Sequence, residues 1–139
     1  MPRKYEPPAW VGLDADAYAK YLTRKGSALR RRDAKRGGSY SLVEAKTAIH
    51  KAFCESDGLD PYDGMPMDPS LIGTYDNDSS KLKRAGYKKQ FSRLPTVDHI
   101  NGEPVAEFMV ISWQTNDAKG DMTPDEYINH CRAVVARWG

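Results

Sequence analysis

Two short runs, separated by a turn that cannot itself be strand, restrict this chain more than anything else in it. Leu94 to His99 (LPTVDH) reads as a strand ending in the dyad Asp98-His99, and Phe108 to Trp113 (FMVISW) is a β-prone apolar run bounded by polar residues. Between them, Asn101-Gly102 tolerates positive φ and Pro104 cannot continue a ladder, so the two runs are expected to fold back as a hairpin. After Trp113, the polar segment Gln114 to Lys119 reads as one or two helical turns stopped by Gly120.

A hairpin followed by a short helix can bring Asp98 and Asn116 to face each other. His99 then projects to the opposite side of the strand, because neighbouring strand residues alternate. A carboxylate oxygen and an amide oxygen are hard ligands suited to Mg²⁺ or a similar divalent ion such as Mn²⁺. A neutral imidazole nearby could deprotonate a water for in-line attack on a phosphodiester.

Through these residues the segment resembles the HNH, or His-Me finger, nucleases, whose ββα-metal core carries an Asp-His or His-His dyad on its first strand and an Asn or His ligand on its helix. The resemblance rests on Val97-Asp98-His99-Ile100, on Asn116 placed 17 residues after the histidine, and on the Asn-x-x-Lys-Gly ending at Lys119-Gly120. It implies His99 as general base and Asp98 and Asn116 as metal ligands; Lys119, close by in the sequence, is a candidate phosphate contact from that proximity alone. One position departs from the pattern. The family's middle Asn, about nine residues before the helical ligand, is here Glu107, a carboxylate able to accept a backbone N–H or to hydrogen-bond the imidazole. The paired Cys-x-x-Cys motifs of many members are absent, with Ser112 and Thr115 at the comparable positions. Cys54 and Cys131 lie far apart, so no structural zinc is expected. Tyr62-Asp63-Gly64 resembles the Tyr-Thr-Gly turn that precedes the finger in some members.

The rest of the chain supplies helices and positive charge. The net charge of +2 is uneven, since residues 1–40 hold ten Lys and Arg against four acids and the remainder eleven against fifteen. Met1 to Gly12 is Pro-rich and reads as an extended arm. A helix from about Leu13 to Lys35 is capped by Asp14, carries the stripe Ala15, Tyr18, Leu22 and Leu29, and is weakened in its middle by Gly26 and Ser27. It ends in Arg30, Arg31, Arg32, Lys35 and Arg36 before a flexible Gly37-Gly38. That cluster is dense enough to track a nucleic-acid backbone, and its bland alternative is a solvated helix face. Ser41 and Glu44 form a capping box for a second helix, with Leu42, Ala45, Ile49, Ala52 and Phe53 on one face; His50 and Cys54 on it read as structural.

Residues 60–78 form a loop whose prolines rule out an EF-hand. Residues 81–93 then bring Lys83, Arg84, Lys88, Lys89 and Arg93 to the start of the first strand, where they are candidate nucleic-acid contacts. The alternative there is that Tyr87 and Phe91 pack on the core while the lysines are solvated. The last helix is capped by Thr123, Pro124 and Glu126. Its apolar face, Tyr127, Ile128, Cys131, Val134, Val135 and Trp138, is expected to buttress the hairpin, with His130 near its polar boundary.

These readings converge on one α+β domain over residues 1–139, with a basic helical part at 1–40 and a ββα core at about 94–121. The expected function is metal-dependent DNA endonuclease, with RNA left open; the alternative is a non-catalytic nucleic-acid-binding protein with a degenerate finger. One site per chain points to a homodimer or to sequential nicks, since a duplex has two strands to cut. No run approaches the ~20 apolar residues a bilayer span needs, and the N-terminus lacks the apolar core of a secretory signal, so a cytoplasmic location is expected.

Overall fold

The structure is a computed structural model that describes residues 5–73 and 89–139. Helix α1 (Ala15–Ala34) starts at Asp14, whose side chain accepts from Ala17 N at 2.8 Å. It runs unbroken through Gly26. A Cβ at Gly26 would stand 3.3 Å from Leu42 and from Lys46, so the missing side chain marks where α1 and α2 come close rather than a weak point. Helix α2 (Leu42–Glu55) opens with the expected Ser41/Glu44 capping box.

Tyr18, Leu22 and Leu29 of α1 meet Ile49, Ala52 and Phe53 of α2 in the core. Phe53 is ringed by aromatics, Trp10 stacked on it at 5.7 Å and Tyr18 and Tyr21 edge-on. Trp10 also donates its indole N–H to the Phe53 carbonyl at 3.2 Å. The N-terminal arm is therefore packed down from Tyr5 to Val11 rather than extended, because Tyr5, Trp10 and Val11 bury apolar surface that water would otherwise face.

Strands β1 (Pro95–His99) and β2 (Phe108–Ser112) form an antiparallel hairpin with Pro95 opposite Ser112 and His99 opposite Phe108. Gly102 takes positive φ (75°) in the connecting turn. Alternation divides the hairpin into two faces. Val97, His99, Phe108 and Val110 turn toward α1 and α2, with Val97, Phe108 and Val110 in the main core. Thr96, Asp98 and Ile111 turn to the other side, which helix α3 (Trp113–Lys119) covers directly after β2. Among the described residues the chain is thus α+β, with four α-helices and one two-stranded sheet.

Helix α4 (Pro124–Trp138) has the expected Thr123/Glu126 capping box. Its expected packing is corrected: no residue of α4 is buried, and Tyr127 meets the body edge-on to Tyr62 at 5.6 Å. The hairpin is packed against α1 and α2 on one face and against α3 on the other.

Candidate active site

The hairpin holds the residues that the sequence nominates, but on two sides. His99 sits at the end of β1 with its ring against Phe108, its cross-strand partner, at 5.3 Å. Its Nε2 lies 2.6 Å from Asp33 Oδ2 on the last turn of α1, and the side chains are 12% and 1% exposed. Tyr40 donates its hydroxyl to the same oxygen at 2.5 Å. Burial, and then the bond to Asp33, raise the Tyr40 phenol above its ordinary pKa, so it stays a donor. Because a carboxylate only accepts, Nε2 must carry the proton, and a neutral His99 keeps its lone pair on Nδ1. Asp33 therefore selects the tautomer in which Nδ1 is the base.

Asp33 lies outside the residues that the sequence nominates. It is hidden in the basic run Arg30 to Arg36, yet it continues the helical stripe of Tyr18, Leu22, Gly26 and Leu29, all buried. An acid on an apolar stripe is the signal that could have found it. Glu107, the residue in the family's middle position, does not reach the imidazole. Its side chain is exposed, and its contribution is a backbone carbonyl that accepts from Ile100 N at 3.1 Å. The carboxylate that hydrogen-bonds the imidazole is Asp33.

Gly37-Gly38, expected to be a flexible break, is a tight turn instead. Gly38 N bonds the Asp33 carbonyl at 2.8 Å, and a Cβ at Gly38 would stand 2.7 Å from Pro104 O. Arg36 reaches across to donate to Gly102 O at 2.6 Å. The end of α1 is thereby fastened to the hairpin turn. Arg30, Arg31, Arg32, Lys35 and Arg36 are all exposed and belong to the same end of α1 as Asp33.

The other face carries Asp98 and Asn116. Thr96 and Asp98, two apart on β1, line up with Asn116 and Lys119, three apart on α3. Asn116 donates Nδ2 to Thr96 Oγ1 at 3.2 Å, and Lys119 Nζ lies 2.9 Å from Asp98 Oδ2. Lys119 is 2% exposed, so the phosphate contact expected of it is corrected: its charge is spent inside the protein on Asp98. The pair is electrostatic, since Oδ2 has no aligned hydrogen bond. Such a buried oxygen would suit a cation, and Asn116 offers an amide oxygen one turn away. The ammonium already cancels the carboxylate, however. With Lys119 in place, a neutral amide and a compensated carboxylate do not fit a doubly charged ion.

Asp60 is a second residue outside the nominated set. It is fully buried and accepts from Ser112 Oγ, Thr115 Oγ1 at 2.7 Å, Ser112 N at 3.2 Å and Tyr62 N at 2.7 Å. Burial alone would raise its pKa; the bonds from Ser112, Thr115 and the backbone outweigh that and hold it below the ordinary carboxylate value. Ser112 and Thr115, which stand where a zinc ribbon would have cysteines, are thus cross-linked by a carboxylate. The Tyr62 turn lies beside the same face. The buried Tyr62 hydroxyl lacks a hydrogen-bond partner among the described residues, and burial, then the charges of Asp98 and Asp60, raise its pKa.

Arg93, a candidate nucleic-acid contact, is likewise occupied. Its guanidinium grips Asp63 through two nitrogens at 2.8 and 3.2 Å and donates to Pro66 O and Met65 O. Lys89 is exposed; Lys83, Arg84, Lys88 and Tyr87 lie outside the described residues. On α2, His50 accepts or donates at Nδ1 with Tyr18 OH at 2.7 Å and meets Cys54 Sγ at 3.5 Å, and burial lowers the His50 pKa. Among the described residues no three His, Cys, Asp or Glu side chains converge on a metal-sized site, and no helix is long and apolar enough to cross a membrane. Compared with protein families, with curated proteins and with solved structures, the chain matches none.

Proposed function

We propose that this chain is a nucleic-acid phosphodiesterase of the His-Me finger kind, with His99 as its general base. The observation that carries the reading is the Asp33–His99 pair at the end of the first strand of a strand–strand–helix unit. In the proposed reaction His99 Nδ1 takes a proton from water. The hydroxide attacks phosphorus, the bond to the 3′-oxygen breaks, and that oxygen leaves as a hydroxyl after taking a proton from solvent. Asp33 holds the imidazole and stabilises its protonated form. The exposed Arg30, Arg31, Arg32, Lys35 and Arg36 supply backbone attraction beside the base, which positions a strand without reading its sequence. DNA is the favoured substrate, and nothing in this set senses a 2′-hydroxyl.

The divalent ion implied by the resemblance would lie between Asp98 and Asn116, and it fits only if Lys119 leaves. No step is assigned to it. The Lys119–Asp98 pair also favours a second reading, a nucleic-acid-binding protein whose finger has lost catalysis.

Nicking of supercoiled plasmid separates the two. Wild type, His99→Ala and Asp33→Asn are compared in Mg²⁺, in Mn²⁺ and in EDTA. Cutting that both substitutions abolish supports the first reading, and salt-dependent binding with no cutting under any condition supports the second. Cutting that survives His99→Ala removes the assignment of the base.

A further inference from the structure

Beside the start of β1, three cations of α1 crowd together with no acid paired to them. Arg24, Lys25 and Ala28 border a cavity of about 440 Å³, whose other wall includes Pro95, Thr96 and Trp113. Arg32 stands seven residues beyond Lys25, on the same face of the helix. Arg24 and Arg32 are exposed, and Lys25 is half-buried. Among the described residues no carboxylate lies within ion-pair distance of these three, whereas Arg36, Arg93 and Lys119 each have one. Burial, and then the charges of Arg32 and Arg24, pull Lys25 below the ordinary lysine pKa. Tyr21 borders the same cavity; its side chain is buried, and its hydroxyl makes no hydrogen bond among the described residues. Like charges beside a cavity, with a hydroxyl donor next to them, are a setting that an anion stabilises.

The position of the cavity names the anion. Helix α1 and strand β1 come together at two points: at one Asp33 bonds His99, and at the other Lys25 and Ala28 face Pro95 and Thr96 across the cavity. Between these points the helix advances about 12 Å and the strand about 13 Å, so the cavity lies roughly that far from the imidazole. One strand of a duplex carries a phosphate every ~3.4 Å of its axis, which brings a phosphate about three or four steps from the bond at His99 to the cavity. We propose that Arg24, Lys25 and Tyr21 form a pocket for a backbone phosphate of a nucleic acid, about three or four nucleotides from the phosphodiester at His99. The proposal rests on the nuclease reading in taking a nucleic acid as the source of that phosphate; the cations and the cavity stand without it.

Binding of a short DNA duplex in EDTA, titrated at several salt concentrations, tests the pocket without any cutting. Arg24→Gln with Lys25→Met is expected to weaken binding about tenfold at low salt and to lower the salt slope by about one. Lys51→Gln, a loss of charge at a side chain on α2 that is 74% exposed, should leave the slope as it is. Because Lys25 faces repulsion and no ion pair, Lys25→Met should melt at the wild-type temperature or above it. A fall of more than about 5 °C would make Lys25 a structural cation and overturn the pocket.

Inorganic phosphate is the second probe, and it should shift the backbone amides of residues 21–28 in the wild type and leave them in place in the double substitution. Duplex affinity and slope that ignore Arg24→Gln with Lys25→Met overturn the proposal, and with phosphate shifts retained they give the pocket to a free phosphate instead. The two readings fail separately. Duplex binding that needs Arg24 and Lys25 in a chain that cuts no plasmid keeps the pocket and removes the enzyme, and plasmid cutting with wild-type affinity in the double substitution does the reverse.

Discussion

The two faces of β1 carry the same kind of interaction and end in opposite chemical states. On one face Asp98 meets a lysine from α3, and on the other His99 meets an aspartate from α1. The first pair is closed, because each charge cancels the other. In the second the partner engages one imidazole nitrogen, Nε2, and in the neutral ring the other keeps its lone pair. Residues adjacent in sequence at a strand end are thus placed in separate surroundings by a period of two, and a motif written as consecutive letters is in space two half-sites back to back.

The sharpest way to break this contrast is to remove the partner that bonds His99 Nε2. Asp33→Asn keeps the shape of the side chain, but its amide can donate to Nε2 and shift the imidazole to the other tautomer. Plasmid nicking is expected to fall by about 10²–10⁴, with DNA affinity unchanged. A loss of affinity in step with the loss of cutting would instead assign Asp33 to holding the basic end of α1.

On the opposite face the expected effect is on stability. Lys119→Met leaves Asp98 buried and uncompensated, at a cost of about 3–5 kcal/mol. Thermal unfolding should show that loss, millimolar Mn²⁺ should recover part of it by taking the vacated place, and Lys119→Met with Asp98→Asn should come close to wild type. No response to Mn²⁺ in Lys119→Met would mean that this face binds no divalent ion even when it is freed.

Asp60 gives a smaller, pH-dependent effect on the same side. Its pKa is lower folded than unfolded, so its stabilisation is fully present above the unfolded carboxylate value of ~3.9 and is lost as pH falls through the lower folded one. Asp60→Asn should cost about 1–3 kcal/mol at neutral pH and flatten the acid limb of a stability-versus-pH curve. An unchanged acid limb would contradict the assignment of Asp60 as a contributor to it. Smallest in stability is Arg31→Ala with Arg32→Ala, expected within about 0.5 kcal/mol of wild type. These substitutions should reduce the salt slope of DNA binding by about one for each phosphate no longer neutralised, measured by titration at several ionic strengths.

Much of the local structure was legible because its causes are local. Caps at Asp14, Ser41 and Thr123, the hairpin turn at Gly102 and the stop at Gly120 follow from one residue and its near neighbours, and all stand where expected. The candidate site was legible by half. Asp98, His99 and Asn116 belong to one short segment. Asp33 reaches His99 from 66 residues away and Asp60 reaches Ser112 from 52, through pairings that no single-sequence pattern encodes. Arg93 and Lys119 show the converse: a count of basic residues does not reveal which of them are already neutralised by an acid elsewhere in the chain. The uncovered face of α4 was illegible for a third reason. Periodicity says that a face is apolar, and not what lies against it.

The tie between α1 and the end of β1 also bears on how this protein can be taken apart. A fragment containing only residues 94–121 would hold every letter of the motif and could fold its hairpin, yet it would lack the carboxylate that chooses which imidazole nitrogen is basic. Transplanting that segment into another scaffold would move the signature without the carboxylate bonded to His99, and a shuffled gene that kept α1 but shortened the turn at Gly38 would separate the two as well.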